Sequence, residues 1–253
     1  MKGLFLDATA ASVLCERGFG ADIGLNQIAS PERLEKLGAF SVEDFSNMEF
    51  GGKPRQFMTA QLPMVDYSGR FAVMQPDERS AIIGHLLDPD TRPVHPAMFA
   101  FENSRGGRVV VHAWDYASAI GPIGVSFHNP VRQRQLQNIV RWLFRNRAPL
   151  LIRGDGAWPL ALRKDCGNET LVGLLNLSLD AWPGVEFEMA APAAIAEISL
   201  VEPDGVWTPL DEPASEIRDG VLRLMIARPV ALESPLFVNI KWNQAAKPPL
   251  LAT

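Results

Sequence analysis

Residues 130–147 read PVRQRQLQNIVRWLFRNR, and no later part of the chain repeats their spacing. Leu136, Ile139, Val140, Leu143 and Phe144 fall at i, i+3, i+4, i+7 and i+8, the pattern of one buried helix face. Asn129 is a natural cap. Pro130 suits the first helical turn, where its missing amide hydrogen would have no partner in any case. Arg141, Arg145 and Arg147 crowd the C-terminal turns, where the helix dipole favours cations. The spacing predicts a helix over 130–147 with its five arginines on a solvated face.

After Pro149 the helical period gives way to short apolar runs at 158–162, 170–177, 185–189, 194–200, 206–210, 221–226 and 236–242. Turn signals separate them, among them Pro183-Gly184, Pro203-Asp204-Gly205 and Asp219-Gly220. Seven runs at nearly even spacing predict an antiparallel β-sandwich over 151–243, followed by a disordered tail at 244–253. Residues 1–150 read as a mixed domain, α+β or α/β. A strand at 3–6 leads into a helix at 8–17, capped by Asp7 or Thr9 and ended by Gly18. A polar, loop-rich stretch with one short helix at 31–37 covers 26–55. Strand candidates follow at 56–65, 71–74, 80–87, 97–102 and 107–114, with a turn at 103–107.

Composition narrows the function classes. The 253 residues are 47% hydrophobic and 21% charged, which excludes disorder as the main state. No apolar run is long enough to span a membrane. The formal charge of −5 argues against nucleic acid as a partner. The charge divides unevenly: residues 1–150 hold 16 basic and 15 acidic side chains, residues 151–253 hold 8 and 14. Asp7 interrupts the N-terminal apolar stretch too early for a secretion signal, so a cytoplasmic location is expected and the Asn168-Glu169-Thr170 and Asn176-Leu177-Ser178 acceptor motifs are read as chance.

Most motifs of catalysis are missing. Only two convincing helices argue against a barrel enzyme, which alternates eight strands with eight helices. There is no nucleophile elbow and no phosphate loop. Cys15 sits inside the first helix, where a buried, inert thiol is the simplest account. His85 and His112 fall in predicted strands, and His95 and His128 beside prolines in predicted loops; none has metal-ligand spacing, so no metal and no cofactor are expected. One local cluster has the composition of a sugar contact: His112, Trp114 and Asp115, with Tyr116, at a strand end. The competing account is a strand terminus whose tryptophan packs into the core.

Two stretches carry a resemblance. Gly3-Leu4-Phe5-Leu6-Asp7 through Ala10-Ala11, then Glu16-Arg17-Gly18-Phe19-Gly20 and Ile23-Gly24-Leu25, resembles the middle domain of large glycoside hydrolases of the beta-galactosidase trimerisation type. Ser80 to Asp88 and Pro96 to Val111, through Asn103-Ser104-Arg105-Gly106-Gly107-Arg108, resembles the end of that domain. Leu174 to Asp180 and Pro235 to Ile240 resemble the C-terminal sandwich of the same enzymes. The resemblance implies a partial amidotransferase-like middle domain without its nucleophile, begun partway, then a β-sandwich. It implies a homo-oligomer, a trimer in the family's manner, or a catalytic barrel encoded upstream as partner. The family's catalytic acids have no counterpart here. The expected role is therefore non-catalytic: oligomerisation and support of a carbohydrate site. The alternatives are a free-standing carbohydrate-binding protein, using Trp114, Trp158, Trp182 or Trp207, and a small glycoside hydrolase.

Overall fold

The computed structural model describes residues 3–40, 42–59, 70–116, 129–153, 159–202, 204–210, 214–232 and 234–243. Residues 60–65 of the strand expected at 56–65, the tail at 244–253, Trp158 and His128 lie outside them. The chain divides into two compact units, Met1–Arg145 and Asn146–Thr253, and strands in several antiparallel sheets dominate both. Among the described residues no helix is long and apolar enough to cross a membrane.

The first unit is built on a six-stranded sheet. Its strands, in spatial order, are β1 (Leu4–Leu6), β10 (Arg108–His112), β9 (Pro93–Glu102), β8 (Ala81–Leu87), β4 (Val42–Asp44) and β5 (Phe57–Thr59). β1 runs parallel to β10, pairing Leu4 with Val109 and Leu6 with Val111; the other pairs are antiparallel. Side chains alternate across a strand, and here both faces are apolar. Phe99, Phe101, Val109 and Val111 enter one core with Ala8 and Ala11 of helix α1 (Ala8–Glu16). Met98, Ala100 and Val110 enter another with Ile139 and Leu143 of the long helix, Pro130–Leu143. That double burial explains why β9 and β10 read as continuous apolar runs.

Local chemistry sets the element ends. Asp7 Oδ1 accepts from the Ala10 amide at 2.8 Å and starts α1. A single turn, α2 (Gly20–Ile23), closes on Gly24 in the left-handed conformation. The long helix, here α3, starts from the Asn129 side chain, which accepts from the Val131 amide at 2.9 Å. It ends earlier than the spacing predicts, because Arg145 and Asn146 both turn to positive φ.

The loop-rich reading of 26–55 is corrected. That stretch carries β2 (Leu25–Ile28), β3 (Glu32–Arg33) and β4, and the short helix expected at 31–37 is a 3-10 turn over Leu34–Leu37. These strands are too short to show a period. Two small sheets use them: β2 pairs with β7 (Met74–Pro76), and β3 with β6 (Arg70–Phe71), which also pairs with β11 (Trp114–Asp115). The expected strand at 71–74 is thus split between two sheets, and the one at 107–114 between the six-stranded sheet and the sheet that holds β6. His95, expected in a loop, is inside β9.

Among its described residues the second unit contains nine strands and no helix. Four form one antiparallel sheet: β12 (Leu151–Arg153), β15 (Val185–Ala190), β19 (Val221–Ile226) and β18 (Ala214–Arg218). Five form another: β13 (Pro159–Cys166), β14 (Glu169–Asn176), β20 (Leu236–Trp242), β16 (Ile195–Val201) and β17 (Trp207–Pro209). Val172, Leu174, Val238 and Ile240 of the larger sheet share one core with Phe187, Met189, Leu222 and Leu224 of the smaller. β12 and β18 escape the sequence pattern. β18 is exposed at every residue, so it has no apolar alternation to read.

Gly24 offers a direct test of the first unit's packing. Its φ is +75°, and a Cβ there would lie 2.4 Å from Cγ of the buried Phe101. Gly24→Ala adds backbone strain to that clash, and should lower unfolding free energy by about 2 kcal/mol or more. Urea denaturation monitored by circular dichroism reads the change; an unaltered midpoint would contradict this packing.

Candidate functional site

One group of ionisable side chains is sealed inside the first unit where β4, β10, β11 and α3 meet. Glu43, His112, Arg132 and Gln135 are each 0% exposed. Glu43 Oε2 lies 2.7 Å from an Arg132 terminal nitrogen, and Glu43 Oε1 lies 3.6 Å from His112 Nε2. Arg132 donates to Gln135 Oε1 at 2.5 Å, one turn along α3. His112 Nδ1 is 2.8 Å from the Tyr116 hydroxyl. The Tyr116 amide donates to Oδ2 of Asp7 at 3.3 Å, so the carboxylate that caps α1 also holds this corner.

Sequence places each member. Glu43 is in β4, the strand next to the β5 edge, paired with β5 on one side and β8 on the other. His112 ends β10, and Tyr116 follows β11. Arg132, Gln135, Ile139 and Leu143 are the buried residues of α3, spaced three, four and four apart, so the buried stripe of that helix begins with two polar side chains.

Proton positions follow from the partners. Burial alone would raise the Glu43 pKa; the Arg132 guanidinium, with help from His112, outweighs it and holds the carboxyl at about 2. Burial pushes His112 down from 6.5, against the opposing pull of Glu43. The imidazole is therefore neutral near pH 7. A carboxylate can only accept, so Nε2 carries the hydrogen towards Glu43, and Nδ1 accepts from the Tyr116 hydroxyl. Burial pushes the Tyr116 hydroxyl upward, which keeps it a donor. The chain of groups Tyr116–His112–Glu43–Arg132 is thus consistently polarised, and its His112, Glu43 and Arg132 members are closed to solvent. It can hold charge and fix geometry. Among the described residues, Glu43, His112 and Arg132 present no open face to a reactant.

Of the sugar-contact residues expected from sequence, His112 and Trp114 do come together, stacked with ring centroids 4.7 Å apart. Their setting differs from a sugar platform. Trp114 is 1% exposed, with Phe71 edge-on at 5.3 Å and the Arg132 guanidinium 5.0 Å from the indole ring. Its faces are occupied by protein. Asp115 accepts from the Thr9 hydroxyl at 3.0 Å and so ties β11 to α1. Trp182 is also buried, at 8% exposure, whereas Trp207 is 43% exposed.

Arg132 corrects the solvated-face reading of the helix arginines. The signal was available: a cation in the first helical turn opposes the dipole, and Arg132 shares the stripe of Ile139 and Leu143. Glu43 gave no signal, since one acid in a three-residue strand looks like any other. Cys15 does lie in α1, and burial pushes its thiol pKa up. Among the described residues no group of three or more His, Cys, Asp or Glu is placed to hold a metal ion. No protein-family model matches this chain, and no curated protein matches it.

Glu43→Gln leaves the buried Arg132 without its carboxylate and should cost about 3–5 kcal/mol, while Glu43→Leu combined with Arg132→Met should cost less than either single change. Urea titration of Glu43→Gln, Glu43→Leu, Arg132→Met and the double variant measures this; additive losses would contradict a buried pair. The pH dependence has a defined sign. His112 binds its proton more weakly folded than unfolded, so stability present above pH 6.5 falls as the pH drops through and below that value. Glu43 adds a second loss, from its ordinary value near 4.5 down to about 2. The urea midpoint should decline between pH 7 and 5 in the wild type and stay flatter in His112→Gln.

Proposed function

We propose that this chain is the non-catalytic portion of a glycoside-hydrolase-like protein: a partial amidotransferase-like α/β domain followed by a β-sandwich, serving oligomerisation and the support of a carbohydrate site carried on a catalytic barrel. The observation that carries this reading is the corner formed by β1, α1 and β10. β1 runs parallel to β10, and α1 leaves β1 directly through the Asp7 cap. That is the corner an amidotransferase-like domain would contribute, and the remaining pairs of the sheet are antiparallel, as the resemblance implies.

The sealed Glu43–Arg132 network supports the non-catalytic part of the reading. Its ionisable groups are spent on holding four elements together, with none presented to a substrate. The oligomerisation part rests on β1 as an edge strand. Among the described residues it has a neighbour on one side only. An edge with unpaired amides and carbonyls recruits another strand readily. Leu4 of this strand is 44% exposed, and Val13 of α1 and Phe19 just after it are 41% and 49% exposed. A second copy covering this corner would bury roughly 1,200 Å² or more in a stable interface.

Light scattering on a sizing column, from micromolar to nanomolar protein, tests the assembly. An oligomer, a trimer in the family's manner, is expected, and Leu4→Lys should shift it towards monomer. A single 27.8 kDa species at every concentration would overturn this part of the reading. Nitrophenyl glycosides test the rest: no turnover is expected, and turnover abolished by replacing one Asp or Glu would make the chain an enzyme.

A further inference from the structure

The second unit presents an accessible ion pair set in a cleft. Glu202 follows β16 and Arg228 follows β19. They pair end-on through both carboxylate oxygens, at 2.9 Å and 2.5 Å. Their side chains remain 31% and 36% exposed. The pair stands between two clefts of about 430 Å³ and 440 Å³. Both fall in the size range of small-molecule sites.

The larger cleft has the more varied chemistry. Val201 and Phe237, both half-buried, line it beside the Glu202–Arg228 pair, and Ser234 and Gly205 stand at its rim. The aromatic side chain is held in place by the sheet. Phe237 pairs with Gly173, and a Cβ on residue 173 would come within 3.1 Å of Phe237 Cε1 and 3.7 Å of Leu162 Cβ. The glycine thus leaves room for the ring on the outer side of the sheet. Trp207 pairs with Val201 on the next strand and is 43% exposed, so the apolar surface continues past the cleft.

The loop that carries Glu202 is a tight hairpin. The Glu202 amide donates to Val206 O and the Gly205 amide to Glu202 O, each at 2.8 Å, with Gly205 at φ +84°. These bonds fix the Glu202 backbone and Arg228 holds its carboxylate, so the group is positioned before any ligand arrives, which lowers the ordering cost of binding.

The geometry points to this cleft as a binding site for a neutral pyranose sugar. A sugar ring has an apolar C–H face, for which Phe237 and Val201 provide a matching wall. Each of its hydroxyls both donates and accepts. The Glu202–Arg228 pair meets that need with acceptor lone pairs and donor N–H groups side by side. End-on pairing uses one hydrogen on each terminal nitrogen of Arg228 and leaves the others, with Nε–H, for a ligand. The pair is neutral as a whole, and each partner keeps the other ionised: the Arg228 hydrogen bonds lower the Glu202 pKa, and those of Glu202 raise that of Arg228. A phosphate or carboxylate ligand would face Glu202 as well as Arg228, which disfavours anions. The opposite sheet makes a poor rival. Its outer side carries a charged ladder, Arg153 to Glu186 and Glu188 at 3.2 Å and 3.0 Å, with Arg223 beside Glu188 at 3.7 Å. This site stands independently of the role proposed above, and neither depends on the other's test.

Saturation-transfer NMR on the full chain, with lactose, cellobiose, methyl glucoside and methyl galactoside as separate probes, tests it. Transfer to ring C–H protons of at least one sugar is expected, with a dissociation constant at or below about 10 mM. Losing hydrogen bonds to a charged group in Arg228→Met should weaken that binding about tenfold or more. Phe237→Leu should weaken it severalfold, and serves as the second variant should Arg228→Met not fold by circular dichroism. Arg153→Met, on the other sheet, should leave it unchanged. No transfer to any of the four sugars would overturn the proposal. So would binding that neither site variant alters, or inorganic phosphate displacing the sugar at equal concentration.

Discussion

An ionised carboxylate inside an apolar sheet is costly, and at Glu43 the cost is offset by one guanidinium. Arg132 reaches Glu43 at 2.7 Å from the first turn of α3, so helix and sheet hold each other through a contact that tolerates little displacement. His112 and Tyr116 extend the restraint to the ends of β10 and β11, and Asp7 extends it to α1. Apolar packing on either side of the sheet could accommodate small slips. A buried ion pair with one partner cannot, because displacement leaves a charge uncompensated. The closed polar corner is the feature on which the rigidity of the first unit turns.

Around it the sheet is covered on both sides. β9 sends Phe99 and Phe101 towards α1 and Met98 and Ala100 towards α3. Among the described residues two helices, α1 and α3, provide the coverage, and small sheets add to it: Leu25, Phe71 and Met74 join the α1 side from β2, β6 and β7. Gly84 admits β4 closely, since a Cβ there would meet Asp44 O at 2.4 Å, and the His85 amide donates to Asp44 Oδ1 at 2.5 Å. β4 is short, but the sheet is shaped to receive it, and it brings Glu43 to the corner.

The second unit follows a different logic. Each of its sheets buries one side in a shared core and leaves the other outward. Such strands alternate, as β20 does with Leu236, Val238, Ile240 and Trp242 buried and Phe237, Asn239 and Lys241 between them. The outward sides diverge in character. Both carry paired charges, Arg153 with Glu186 and Glu188 on one and Lys241 with Glu197 on the other, but the second also carries Leu160, Leu162, Phe237 and Trp207 and ends at the Glu202–Arg228 cleft. Function is best sought where the surface departs from the charged, solvated norm.

The sequence by itself determined the elements whose burial is periodic. α3 followed from Ile139, Leu143 and the Asn129 cap, α1 from the Asp7 cap, and six strands of the second unit from apolar runs and turn signals; β17, exposed throughout, followed from its short apolar run after the Pro203-Asp204-Gly205 turn signal. These are local properties, readable from near neighbours in the chain. Strands without a period, β4 and β18 among them, were not readable. Nor was the fate of particular polar residues. Glu43 and Arg132 lie 89 positions apart, and whether each meets water or the other depends on which strand enters the sheet. Only the tertiary structure decided that Arg132 is sealed while Arg145 is partly exposed. It also put Trp114 inside a core and left Trp207 outside one, because the long-range Coulombic and packing partners that set burial are brought together by the fold alone.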